Sequence, residues 1–442
     1  MPRRALTLLF PLTLGLTACL DGGANLHGQA PGTPEGGVDV GLGHIAVAPD
    51  GRYFLSNANG YLVVGDLEAR AMRALEGLPK ADLIAFWPEG SGFFLLSMPT
   101  SFEPDATEEV LSYDLARGEI VWRETLPRFD TGLDVAPGER LVLWGFNGAR
   151  VLDARSGDEV ADVPSDEGLA DLDVLSDGRL LITYFSTRDA ARDPHTRIAM
   201  FAPSGAALCA IDVPNCSAEL VVDDAETRAF LAPTRCGRDP VSVVELEAEA
   251  CRFRENLPGF GPVALSPDGA TVVAFMDRDA VDPDAPPLPA AVRDSDVRYH
   301  LMFIDAEALT FDTLPIGDVL PRYTFTPDGR TLIVDHSLRE ASEGLALLDV
   351  AARAVRPVRG PVVDMDHYVL TPDSARAFVV DAGLYALDVQ QALVQSVPLS
   401  FIPLSINITP GGDTLLLRDA HSGSVITYDV AGEKESGAVP LM

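Results

Sequence analysis

The amino-acid sequence predicts an all-β chain that closes one ring out of repeated four-stranded units. Three observations carry that expectation. A tight-turn signal recurs nine times in 442 residues. The strand before every turn keeps a single apolar register, and short β-rich runs fill each interval of roughly 40 to 60 residues.

The turn is the clearest of these signals. Ala48-Pro49-Asp50-Gly51 is the pattern, and it returns at Trp87-Pro88-Glu89-Gly90, Ala136-Pro137-Gly138-Glu139, Leu175-Ser176-Asp177-Gly178 and Ser266-Pro267-Asp268-Gly269. Thr326-Pro327-Asp328-Gly329, Thr371-Pro372-Asp373-Ser374 and Thr409-Pro410-Gly411-Gly412 continue it, and Asp223-Asp224-Ala225-Glu226 is a degenerate copy. Proline presets φ at the second turn position, and glycine accepts the left-handed conformation that closes a tight hairpin.

The strand before the turn is the stricter test. Four residues ahead of each proline position stand Ile45, Ile84, Leu133, Leu172, Leu220, Val263, Tyr323, Tyr368 and Ile406. Two residues ahead stand Val47, Phe86, Val135, Val174, Val222, Leu265, Phe325, Leu370 and Ile408. The residue between them is mostly small or polar. A period of two held through nine copies means one strand in one fixed register.

After each turn comes a second run, such as Phe93-Phe94-Leu95-Leu96, and then a third that ends in an acid, such as Leu111-Ser112-Tyr113-Asp114 or Met302-Phe303-Ile304-Asp305. A second tight turn leads into a last strand. Each unit therefore holds four strands, A to D, the content of one propeller blade, and the expected fold is a single β-propeller over residues 41–442. Nine blades are counted where four to eight are usual, with seven or eight as the fallback. The first strand belongs to blade one and the last to blade nine, so no strand need be exchanged to close the ring.

In these turns and acid-ended strands the chain resembles the bacterial propellers of the YVTN or lactonase-like family, whose repeat runs Ser-Pro-Asp-Gly, then Val-x-Val-x-Asp, then Gly. The resemblance covers nearly all of residues 41–441. It implies the propeller scaffold and a family with both enzymes and non-enzymes. It carries no active-site residues with it.

The first residues read differently. Arg3 and Arg4 precede an apolar stretch, Ala5 to Thr17, too short to span a bilayer, and Leu16-Thr17-Ala18-Cys19 resembles a bacterial lipobox. Residues 1–18 are then a lipoprotein signal peptide, Cys19 the lipidated N-terminus, and residues 19–40, rich in Gly, Pro and small polar residues, a flexible tether. Leu20 stands where some lipoproteins carry the Asp that retains them at the inner membrane, so the expected place is the cell envelope, at the bacterial outer membrane. The membrane, reached through the lipid, is one expected partner. Removing the leader leaves 31 basic against 66 acidic residues, a net charge of −35. Such a field repels nucleic acid, which is excluded as a partner.

Strands A and C run one way and B and D the other, so the tight A–B and C–D turns share one face of the ring. The B–C and D–A connections share the other, and several are long, above all Asp277 to Tyr299. Variable loops on a rigid frame are where binding residues sit. On this loop face His44 and His367 occupy one register position at the start of strand A, and Asp171, Glu219 and Arg322 fill the same position in other blades. These five are the candidates for the mouth of the central channel, where a metal or proton-transfer site would need at least three converging ligands. In the long loop Asp277, Asp279 and Asp282 are candidate ligands for calcium or another divalent cation, because hard cations favour clustered carboxylates. The spacing is not that of an EF-hand, and the proline-rich middle predicts a solvated excursion. No cofactor is predicted.

Four cysteines remain beyond Cys19, an even number in an oxidising compartment, and they allow three pairings. Cys236 and Cys251 fall on opposite faces, about 20 Å apart along a strand, too far for a bridge. Cys216–Cys236 is favoured because both lie at the loop face of adjacent blades. Cys209 and Cys251, on neighbouring outer strands, bond only where the blade edges approach closely.

The leading functional reading is a non-catalytic cell-envelope lipoprotein that binds a protein or small-molecule ligand through its loop face. The alternative is a lactonase-like or other metal-assisted hydrolase with its site at the channel mouth.

Overall fold

A computed structural model describes residues 38–39 and 45–440, apart from 59–60, 80, 98–106, 128–129, 146, 166, 185–195, 214–218, 233–239, 280–286, 319–321, 336–343, 364 and 366. It is a nine-bladed β-propeller. Nine antiparallel sheets follow one another in chain order, and each takes its four core strands from one contiguous repeat. Blade one, for example, is Ile45–Val47, Tyr53–Ala58, Tyr61–Asp66 and Ala71–Ala74.

The register found in the sequence has a direct structural cause. The inner strands A of successive blades stand side by side around the channel, and adjacent residues of a strand point to opposite faces of the sheet. Leu133, Leu172 and Leu220, four ahead of the turn, all point into the interface with the preceding blade. The small residue that follows the first of each pair, such as Ala46, Ala85 or Ala264, faces the next blade instead. Because both sheet faces are covered, strand B is an unbroken apolar run. Phe93 and Leu95 pack between blades one and two, and Phe94 and Leu96 between blades two and three.

The molecule therefore has no single core. It has nine, one at each interface between blades. A fully buried phenylalanine such as Phe54, Phe230 or Phe378 contributes about 1.5–3 kcal/mol to its interface. The ninth core closes the ring: Ile45, Phe54, Val63 and Met72 of blade one pack on Leu416, Val425 and Val439 of blade nine. Across the same seam Asn407 Nδ2 donates to the Ile45 carbonyl at 2.7 Å. Closure uses no exchanged strand, as the order of repeats predicts.

Two features depart from the sequence reading. Val38–Asp39 forms a short strand on the inner edge of blade two, antiparallel to its strand A (Leu83–Phe86), with Val38 opposite Ile84 and Asp39 opposite Leu83. Sheet pairing thus begins ahead of residue 41, and blade two has five strands. In the long loop, the part after residue 286 is not an open excursion. It holds a helical turn, Ala290–Arg293, whose Val292 is fully buried and joins the core between blades five and six. Val292 and the partly buried Leu288 were enough to dock a segment that its prolines and acids made look solvated.

Candidate functional site

The two faces of the ring are built differently, and the turn face is made of uniform tight turns. The fourth turn position is left-handed in every blade, at φ between 51° and 84°. Glycine fills it in six blades; Glu139, Glu226 and Ser374 fill it in the others. The turns also touch. A Cβ added to Gly90 would lie 2.7 Å from Asp50 Cγ of the preceding blade, and one on Gly269 equally close to Asp224 Cγ. Where glycine is missing, the side chain bonds instead. Ser374 Oγ accepts from the Asp328 N–H at 2.9 Å, and the Glu226 carboxylate accepts from the Ser176 N–H. Under several turns a hydroxyl bonds the turn acid, Thr371 Oγ1 to Asp373 at 2.6 Å and Thr326 Oγ1 to Asp328 at 2.7 Å. The Thr371 hydroxyl accordingly holds the Asp373 carboxyl below its ordinary range. The turns of this face thus bond one another and themselves, and a cavity of about 470 Å³ lined by Asp50, Arg52, Thr409 and Asp413 lies among them between blades nine and one.

The loop face carries the candidates. Asp171, within the inner strand of blade four (Leu169–Val174), accepts the Leu220 N–H of blade five at 2.8 Å, so its carboxylate ties two inner strands together. Glu219 opens the inner strand of blade five, opposite Ala232. Arg322, at the start of the inner strand of blade seven, pairs with the buried Asp335 at 2.9 Å, and Asp335 also accepts the Met365 N–H at 3.2 Å. Tyr368 lies beside this pair, and burial pushes its phenol upward. His367 is exposed, and its carbonyl accepts the Val380 N–H. His44 lies outside the described residues. Asp171 and Arg322 are thus engaged in joining neighbouring strands and blades.

The acidic loop is likewise engaged at its base. Asp277 is buried and takes a two-point bond from Arg298, at 2.9 and 3.2 Å. It also accepts the Asp279 N–H, while Asp279 itself pairs with Arg278 at 3.1 Å. Asp282 lies outside the described residues. Among the described residues no three His, Cys, Asp or Glu side chains stand close enough to hold a metal ion.

Sequence reasoning missed Asp335. Its signal is an acid closing the apolar run of strand B at the loop face, as in Met276-Asp277, Val334-Asp335 and Val380-Asp381. Attention to the acids that end strand C hid this second series.

The bond that the sequence reading left conditional on close blade edges is present. Cys209, in strand D of blade four (Ala207–Val213), is bonded to Cys251, the first residue of strand D of blade five (Cys251–Leu257), with Cα atoms 5.7 Å apart. The edges approach there because a bulge between Cys209 and Ala207, where they pair with strand C, lets Leu208 and Cys209 both reach the core between the blades, beside Cys251. Cys216 and Cys236 lie outside the described residues.

Exposed apolar side chains also sort by position. Ile120, Val121, Val160, Phe253 and Val355 are on outer strands D, and isolated ones there are ordinary. Tyr61, Val362, Ile402 and Leu404 are different. They are 64, 53, 50 and 45 % exposed, and all four stand at loop-face ends or connections of blades seven, eight, nine and one, which adjoin in the ring.

No family model matches the chain, and no curated protein matches it in sequence. Similar solved structures include a eukaryotic initiation factor, 11 % identical, with 90 % of each chain covered and a TM-score of 0.51. Another is the dihydro-heme d1 dehydrogenase NirN in complex with DHE, 14 % identical, covering 79 % of this chain and 73 % of that one, also at 0.51. AztD of Citrobacter koseri is 12 % identical over 90 % of this chain and 95 % of its own, with a TM-score of 0.46. At these identities the likeness to the first two is one of fold alone.

Proposed function

We propose that the chain is a lipid-anchored cell-envelope propeller that binds a protein partner through its loop face and performs no chemistry of its own. The observation that carries this reading is the run of exposed apolar side chains, Tyr61, Val362, Ile402 and Leu404, over adjoining blades on the face with the variable connections. Large apolar side chains left exposed on one sector of one face favour an interaction surface there. The engagement of Asp171 and Arg322 in contacts between strands also supports binding over catalysis. The net charge favours a partner that is neutral or basic on its docking side. The lipobox at Cys19 and the tether behind it support attachment to the outer membrane.

A photoreactive residue at Ile402 tests the reading in intact cells, with the same residue at the exposed turn-face Glu89 as the control. A discrete crosslinked protein from position 402 and none from 89 is expected, and Cys19→Ser is expected to move the protein from the membrane to the soluble fraction. Equal crosslinking from both positions would sink the loop-face assignment. Metal-dependent lactone hydrolysis by the pure protein, lost in His44→Ala and His367→Ala, would replace this reading with the hydrolase.

A further inference from the structure

Several interfaces between blades are fastened near the turn face by one kind of bond. The carbonyl just after the acid that ends strand C accepts from a long side chain of the preceding blade. Trp122 Nε1 donates to Ala154 at 2.9 Å, Arg356 Nη2 to Val389 at 3.2 Å and Arg376 Nη1 to Val430 at 3.4 Å, and Arg228 donates to Ala306 in the same way. The donors come from two positions. Trp122 and Arg356 lie on strand D, opposite the residue two before the closing acid, and Arg228 and Arg376 open strand B. Blade nine has Gly437 and Thr414 at these positions. In blade one the corresponding carbonyl is that of Leu67, whose N–H bonds Arg52 as the Ala154 N–H bonds Glu139. Among the described residues no donor reaches it, and the cavity of about 470 Å³ between blades nine and one opens beside it.

The charges of this cavity are sorted. At its outer end the Arg70 guanidinium lies over Gly437, where an added Cβ would stand 3.6 Å from Arg70 Nη1 and 3.5 Å from Thr427 Oγ1. Arg70 makes no ion pair among the described residues. The Ser436 hydroxyl is at the same end, donating to Thr427 Oγ1 at 3.1 Å. The inner end is made by the A–B turns of the two blades, and there Asp50 and Asp413 stand without a cation among the described residues. Arg52, the other cation of the lining, is taken up by Asp66 at 3.0 Å and Glu68 at 3.3 Å. We propose that the cavity binds a small zwitterion of the amino-acid class, its carboxylate on Arg70 and Ser436 and its ammonium group toward Asp50, Asp413 and the Leu67 carbonyl. A plain anion would meet the two aspartates and a plain cation would meet Arg70, whereas a molecule that carries both charges is attracted at each end. Its ammonium N–H groups supply the donor that arginine or tryptophan supplies at other interfaces. The volume is within the range of about 300–1,000 Å³ usual for small-ligand sites. The site lies on the face opposite the exposed apolar sector and stands or falls apart from it.

Equilibrium dialysis of the full chain, made soluble by Cys19→Ser, against an equimolar millimolar pool of the common free amino acids tests the site, with mass spectrometry reading what the protein retains. Retention of one amino acid above the rest is expected. Calorimetry with that compound then compares it with its amide, which lacks the carboxylate, and its N-acetyl form, which lacks the ammonium group. Each derivative is expected to bind about tenfold more weakly or worse, as loss of a charged hydrogen bond predicts. Arg70→Gln, on an exposed turn, is expected to cost the same factor. Gly437→Arg puts into the notch the side chain that Arg356 provides in blade seven, and binding should be abolished. Retention of no amino acid overturns the site. Binding that is unchanged in both variants, or equal for the parent compound and its amide, overturns it as well.

Discussion

Ser374 shows how two small terms balance at a single position. Its φ of 61° costs a non-glycine residue about 1–2 kcal/mol, while its bond to the Asp328 N–H contributes about 1 kcal/mol. The serine is tolerated because the turn of the preceding blade lies within reach. His300 has the opposite character, a titratable side chain buried on strand C of blade six. Burial pushes its imidazole below the usual range; the backbone of Arg298 acts against this and the charge of Arg278 adds to it. A lowered value in the folded state means that its contribution is whole above the ordinary histidine pKa near 6.5 and is lost as pH falls below it. The turn carboxylates Asp268 and Asp373, lowered first by the hydroxyls of Ser266 and Thr371, lose theirs only in stronger acid, below the ordinary aspartate value of 3.8. Urea midpoints measured against pH should therefore fall in two stages, and His300→Gln should flatten the upper stage alone. An unchanged upper stage in that variant would assign it to another group. The burial of His300 was not legible in the sequence, because it depends on which neighbours the fold stacks around strand C.

Strands fared better than side chains. The nine turns and the period of two in strand A were readable because each is local, a matter of φ preferences and of which face meets a neighbouring blade. The Cys209–Cys251 bond was readable only as a condition on how closely two blade edges approach, since that approach depends on a bulge in strand D. That bond closes a loop with a sequence separation of 42, for which chain entropy gives about 4 kcal/mol, with about 2–4 usual in practice. Cys209→Ser together with Cys251→Ser should lower unfolding stability by that amount, and peptide mapping of the unreduced protein should recover the two cysteines in one crosslinked fragment. A Cys236–Cys251 fragment would contradict the arrangement of blade five. The polar bridge of Arg322, Asp335 and Met365 was harder to read: Arg322 and Asp335 face each other across one hairpin, but Met365 joins them from the connection to blade eight.

At the scale of the whole molecule, nine separate cores mean that damage should stay local. Met72 is fully buried in the core that closes the ring, and Met72→Ala should cost about 2–5 kcal/mol through the cavity it leaves. Hydrogen exchange should then quicken in blades one and nine while blades four and five, held by the disulfide, keep their protection. Equal loss everywhere would mean that the ring opens as a single cooperative unit. The overall architecture, including the count of nine and closure without an exchanged strand, was written plainly in the order of the repeats. The channel-side strand at Val38 was not, because two residues carry no periodicity. Closure of this kind also bears on ancestry. Since each blade's core strands come from one uninterrupted stretch of chain, an in-frame duplication or loss of one repeat would leave every other blade intact and alter only the contacts at its two borders. A ring sealed by interleaving its first and last segments would have its fastening tied to both ends of the chain. Here the gene can lengthen or shorten the circle at any border between repeats, and the present count is one member of a series that this architecture makes reachable by single events.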